Sequence, residues 1–182
     1  MKKPTQILSE EHVNILKVID VLLEECNTIE SGKDVDKDFF ERVIDFIRNY
    51  ADKFHHAKEE DILFEKLCDD KVQLQCNPVQ QMLYEHDLGR NFVKGIEIGL
   101  KQGDKGMVVD NARNYAHLLR EHIEKEDSIL YPMADSVLDE KTQKTMLSKF
   151  KQAEDKRFAK GVKEKYIALV KELENDVILR KK

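Results

Sequence analysis

Proline and glycine are scarce in this sequence: 3 and 7 of 182 residues. Few helix breakers leave room for long uninterrupted helices. Three cysteines, Cys26, Cys68 and Cys76, are an odd number with no Cys-x-x-Cys spacing. That excludes a disulfide framework and a thiolate metal knot, and suits a reducing, cytoplasmic compartment. No apolar run approaches the roughly 20 residues of a membrane span, and Met1-Lys2-Lys3 is not followed by the apolar stretch of a signal peptide. Phosphate-binding and dinucleotide-binding glycine loops, the Gly-x-Ser-x-Gly elbow and His-Glu-x-x-His are all absent, which removes the nucleotide, serine-hydrolase and zincin classes. No stretch alternates as a strand does, so the class expected is all-α.

Charge is plentiful, at 37% of residues, but unevenly placed. Residues 141–182 carry 13 Lys and Arg against 6 Asp and Glu, whereas residues 1–140 carry 18 against 30. An acidic body argues against a nucleic-acid partner. The basic tail is expected to lie on that body; its alternative use is as a docking surface for an acidic redox partner.

Two copies of one pattern organise the chain. Glu11-His12 is followed later by His56-Ala57-Lys58-Glu59-Glu60-Asp61, and Glu85-His86 by His122-Ile123-Glu124-Lys125-Glu126-Asp127. Residues four apart share a helix face, so each His-x-x-x-Glu can aim two donor atoms at one point. The helices expected are about Ser9–Ser31, Asp36–Cys68, one opened by Asn77 as cap and Pro78, one from Asp104 to Tyr131 or beyond, and two shorter ones, about Asp139–Glu154 and Gly161–Leu179. Gly95, Gly99 and Gly103 at four-residue spacing predict a close helix contact and a C-cap. Short connections make an up-down-up-down four-helix bundle the economical arrangement, with residues 1–138 as the bundle and 139–182 as a helical extension packed on it.

In such a bundle the starts of odd helices and the ends of even ones lie at one level. His12, His86, His56 and His122 therefore meet, with Glu60 and Glu126 one turn further along. Two buried carboxylates facing four imidazoles, with no arginine in the stripes, require a cation. Four nitrogens and two carboxylates exceed a structural zinc tetrahedron. Two bridging carboxylates would serve two ions, and the donor types suit iron, manganese or zinc. His55, about 100° around the helix from His56, and His117 are expected outside the ligand set, and Arg90 beside it. Asp127 is expected to point away, because Glu126 lies only about 40° off the face of His122.

Phe54-His55-His56-Ala57-Lys58-Glu59-Glu60-Asp61-Ile62-Leu63-Phe64, Glu85-His86-Asp87-Leu88-Gly89-Arg90 and His122 through Pro132, with His12, resemble the haemerythrin-like, HHE cation-binding family over residues 8–135. The resemblance implies a four-helix bundle with a non-haem centre of two iron ions, for which zinc or manganese could substitute. It implies His12, His56, His86 and His122 as terminal ligands and Glu60 and Glu126 as bridges. Oxygen-carrying members have a second His where Arg90 stands and His-x-x-x-x-Asp at the close, so the pattern is nearer the bacterial HHE and iron–sulfur repair proteins.

The function expected is binding or sensing of O2, NO or peroxide, or iron handling. The alternatives are a di-iron enzyme of peroxidase, catalase-like or nitric-oxide-reducing type, or one with an iron–sulfur repair role, and an interaction protein in which the metal is a staple.

Overall fold

The computed structural model describes residues 2–69, 72, 78–157 and 161–180, and all regular structure among them is helical. Helix α1 is Pro4–Glu30. Helix α2, residues 37–67, is continuous but changes winding: α-helical over Lys37–Phe46, π-helical over Ile47–His56 and Glu59–Phe64, and α-helical again over Glu65–Leu67. Helix α3 is Val79–Gln102. Helix α4, residues 105–137, carries one π-helical turn, Glu126–Leu130. Helices α5, Glu140–Arg157, and α6, Val162–Arg180, follow.

Local chemistry explains most boundaries. Asp36 and Asp104 cap α2 and α4 by accepting hydrogen bonds from the backbone N–H of Phe39 and Met107. Gly103 ends α3 at φ 68°, the left-handed conformation that favours glycine. Helix α1 starts earlier than expected, with Pro4 in its first turn. Ser9 is therefore inside the helix and donates to Asp127 Oδ1 at 2.6 Å. Asn77, expected to cap α3, lies outside the described residues.

Cross-helix pairs fix the directions. Ser9 meets Asp127 while Arg113 meets Glu30, so α1 and α4 are antiparallel. Arg48 meets Glu97 while His86 meets Glu60, so α2 and α3 are antiparallel too. Helices α3 and α4 approach closely where Gly95 and Gly99 face Asn111 and Val108. A Cβ at Gly99 would lie 2.9 Å from the Val108 backbone nitrogen. These four helices form the up-down-up-down bundle.

The bundle has two apolar cores with a polar layer between them. Ile15, Phe54, Val93 and Leu119 belong to the larger core; Leu8, Ile62, Met82 and Leu130 belong to the smaller. On every helix the histidines and glutamates of the pattern fall between those two sets. Helix α5 closes the smaller core with Met146 and Phe150, and α6 joins the larger through Tyr166, Leu169, Val170, Leu173 and Val177. Basic groups of α6 also reach acidic groups of the bundle: Arg180 meets Asp36 at 2.7 Å and Glu25 at 3.0 Å.

Glu25 is fully buried, and its carboxylate has the Arg180 ion pair but no hydrogen bond of good geometry to either oxygen. Burial pushes its pKa up to about 7, with Arg180 opposing. The folded value exceeds the unfolded one, so this group's stabilisation is complete below the ordinary carboxylate value and is lost as pH rises through about 7. Glu25→Gln should match the parent at pH 4 and exceed it at pH 8 by about 3 kcal/mol. Urea unfolding at the two pH values checks this; a variant less stable at pH 8 would mean that the Arg180 pairing outweighs the burial.

Candidate metal centre

Seven side chains meet in the polar layer. His12, His55, Glu59 and Glu126 form one cluster of potential ligand atoms, and His56, His86 and His122 form another. All seven are buried, with Glu59 and Glu126 wholly inaccessible. Each carboxylate faces both clusters. Glu126 places one oxygen 3.3 Å from His12 Nε2 and the other 3.3 Å from His122 Nε2. Glu59 places one oxygen 3.5 Å from His55 Nε2 and the other 3.6 Å from His86 Nε2.

Around this centre, each histidine turns its Nδ1 to a carboxylate. His12 faces Asp127 at 3.1 Å, His55 Glu11 at 3.0 Å, His86 Glu60 at 2.6 Å and His122 Glu85 at 2.8 Å. His56 faces Asp52 at 3.6 Å, a contact too long for a hydrogen bond. The outer carboxylates are themselves held: Glu11 by Lys58, Glu85 by Lys125 and Gln81, Glu60 and Asp52 by Arg90, and Asp127 by Ser9. A neutral imidazole that donates from Nδ1 has a lone pair on Nε2. His86 Nε2 and His122 Nε2 lie 3.0 Å apart, so when both rings are neutral two lone pairs converge on one point.

Sequence periodicity misplaces two residues. Glu60, expected in the core beside His56, lies at the edge of the bundle and pairs with Arg90 at 2.7 Å, while Glu59 occupies the buried position. His55, expected at a boundary, is 1% exposed and faces the centre. The cause is the π-helical winding of α2. The Ala57 N–H reaches back five residues to the Asp52 carbonyl, so a 3.6-residue projection runs out of register there. A widened turn lets His55, His56 and Glu59 all face inward. The π turn in α4 has the same effect: Leu130 is buried, whereas Ile129, seven residues after His122 and so near its face in a regular helix, is 52% exposed. His12, His86, His122, Glu126 and His56 lie in the buried layer, and His117 is exposed.

The signal that finds the right register is the lysine. His55-x-x-Lys58-Glu59-Glu60 matches His122-x-x-Lys125-Glu126-Asp127, with Glu11 and Glu85 as the partners of the two lysines. In that alignment Glu60 on His86 corresponds to Asp127 on His12. Two positions break the pseudo-symmetry. His56 stands opposite Ile123, which adds a third imidazole to the His86 side. Tyr131 stands opposite Phe64, and its hydroxyl donates to Glu59 and lies 3.4 Å from His12 Nε2.

Without a cation the layer is electrostatically unbalanced. Burial opposes charge on His12 and His122, yet Asp127, Glu126, Glu85 and Glu59 raise them to about 9 and about 10. Burial and the neighbouring charge of Glu126 push Glu59 well above the usual carboxylate range, and burial pushes His55 and His56 well below the usual imidazole value. Both oxygens of Glu126, one of Glu59, Nε2 of His55 and Nδ1 of His56 lack a hydrogen-bond partner. Buried polar atoms are seldom left unpaired, so this donor set fits bound metal.

No curated protein and no solved structure matches the chain. The family model described as the hemerythrin HHE cation binding domain matches residues 3–134, well over half of the sequence. The order of helices, the His and Glu clusters and that match agree: the chain belongs to the hemerythrin HHE cation-binding family.

Proposed function

We propose that the chain holds two iron ions between seven side chains and uses them to bind or sense a diatomic or peroxide ligand. The observation that carries this reading is the pair of wholly buried carboxylates, Glu59 and Glu126, each turned to a histidine of both clusters. His12 and His55 would serve one ion and His56, His86 and His122 the other, with both carboxylates shared. Four donors on the first ion against five on the second make the centre unequal. Iron supplies, when bound, a redox couple and open coordination positions for O2, NO or peroxide; manganese or zinc would fit the same donors. The outer carboxylates fix the tautomer and orientation of His12, His55, His86 and His122, and the two apolar cores keep bulk water from the layer.

One observation favours turnover as a second reading. The Tyr131 hydroxyl holds a proton beside the end with fewer donors, on Glu59 and against His12. Burial and the surrounding carboxylates hold it well above its ordinary pKa, so the proton stays on Oη. Metal-loaded protein titrated anaerobically with O2, NO and peroxide separates the readings. Reversible absorption changes that vanish on degassing support binding or sensing. Steady consumption of peroxide or NO, slowed in Tyr131→Phe, supports an enzyme. No spectral response to any of the three would remove both and leave the metal as a staple.

A further inference from the structure

A second feature sits beside the polar layer. A cavity of about 120 Å³ runs up to His56 and His86, between α2, α3 and α4. Ile47, Gly89, Val93 and Leu119 give it a buried apolar wall. Arg48 and Arg90, the more exposed members of its lining, mark its outer end. Both guanidiniums are already paired, Arg48 with Glu97 and Arg90 with Asp52, Glu60 and Asp87. The cavity therefore offers no free cation for an anionic ligand.

Tyr115 supplies the polar handle. It is 3% exposed, it lines the cavity, and its hydroxyl has no hydrogen-bond partner. Burial holds the phenol far above its ordinary pKa, so Oη keeps its proton and can donate. The lack of a side chain at Gly89 lets the Tyr115 ring lie close to α3: a Cβ there would be 3.6 Å from the ring edge. A buried hydroxyl without a partner is costly. A single water is a poor remedy, because an ordered water makes about three hydrogen bonds, the carboxylates of Asp52 and Glu85 are already engaged, and the lining offers only His56 Nδ1 as a second buried atom without a partner. The space is about ten times the ~10–15 Å³ that suffices for one water.

We propose that this cavity is a binding chamber for one small neutral molecule with an apolar body and a single acceptor atom, held by a hydrogen bond from Tyr115 Oη. Its position against His56 and His86 places such a molecule next to the three-histidine side of the centre. The chamber does not depend on the metal reading, and metal-depleted protein should fill it as well.

The test uses crystals of the whole chain, some pressurised with xenon and some soaked in acetonitrile. Xenon probes the apolar wall and acetonitrile probes the wall together with the donor. Both should give density in the cavity. Tyr115→Phe should keep xenon and lose acetonitrile, and Val93→Phe, which fills the space, should lose both. Tyr115→Phe is nearly isosteric, so the test survives if Val93→Phe does not fold. Ordered waters bridging Tyr115 with neither probe bound would overturn the proposal, as would undiminished acetonitrile in Tyr115→Phe.

Discussion

Replacing Glu59 with alanine is expected to drop the metal content from two ions per chain to one or none, while Glu60→Ala retains both. Glu59 is wholly buried between a histidine of each cluster, and no other carboxylate on α2 reaches both. Glu60 instead accepts from His86 Nδ1 and Arg90 at the edge of the layer. Its loss frees one imidazole to rotate, which should weaken metal binding by about 10- to 100-fold without removing a donor. Asp127→Ala should behave like Glu60→Ala, since Asp127 stands in the same relation to His12. Elemental analysis of the three variants, purified alongside the parent, decides the matter. Depletion in Glu60→Ala with two ions kept in Glu59→Ala would restore the regular-helix register.

Lys58→Met should be the most destabilising change outside the histidines and glutamates of the centre. The Lys58 side chain is 1% exposed. Its ammonium group pairs with buried Glu11, lies 3.2 Å from Glu154, and sits 3.7 Å from the centre of the Phe54 ring. Removing one partner of a buried ion pair leaves an uncompensated charge and costs about 3–5 kcal/mol. Lys163, 3.8 Å from Glu11, offsets part of that. Lys125 makes the equivalent pair with Glu85 but is 37% exposed, so Lys125→Met should cost about 1 kcal/mol or less. The double variant Glu11→Gln/Lys58→Met should recover much of the loss, because neither charge then remains buried. Urea unfolding of metal-depleted protein gives all three values. Equal, small effects at Lys58 and Lys125 would contradict the account.

The bundle was legible because its signals are local. Asp36 and Asp104 cap by the chemistry their sequence position suggests, Gly103 stops α3, and the 3.6-residue stripes of α1 and α3 carry His12 and His86 inward without interruption. The winding of α2 was not legible. Nothing in its composition distinguishes a turn closed at i→i+4 from one closed at i→i+5, and the difference moves the buried carboxylate from Glu60 to Glu59. The two readings differ in which repeated unit is aligned. Matching His-x-x-x-Glu pairs His56 with His122; matching the lysine that holds Glu11 with the one that holds Glu85 pairs His55 with His122. The second match is physical, since a buried carboxylate needs its cation, and it also reveals His56 as the residue without a counterpart. The start of α1 was missed for a simpler reason: Ser9 resembles a cap, but Pro4 and the Gln6 side chain, which accepts from the Lys3 N–H, open the helix earlier.

The central claim is one centre of two ions shared by Glu59 and Glu126. Anomalous diffraction at the iron edge from iron-loaded crystals tests it most directly. The account predicts two anomalous peaks within the polar layer, one against His12 and His55, the other against His56, His86 and His122, with both carboxylates touching both ions. A single peak, or a peak ligated by Asp52 and Glu60 at the edge of the bundle, would contradict it.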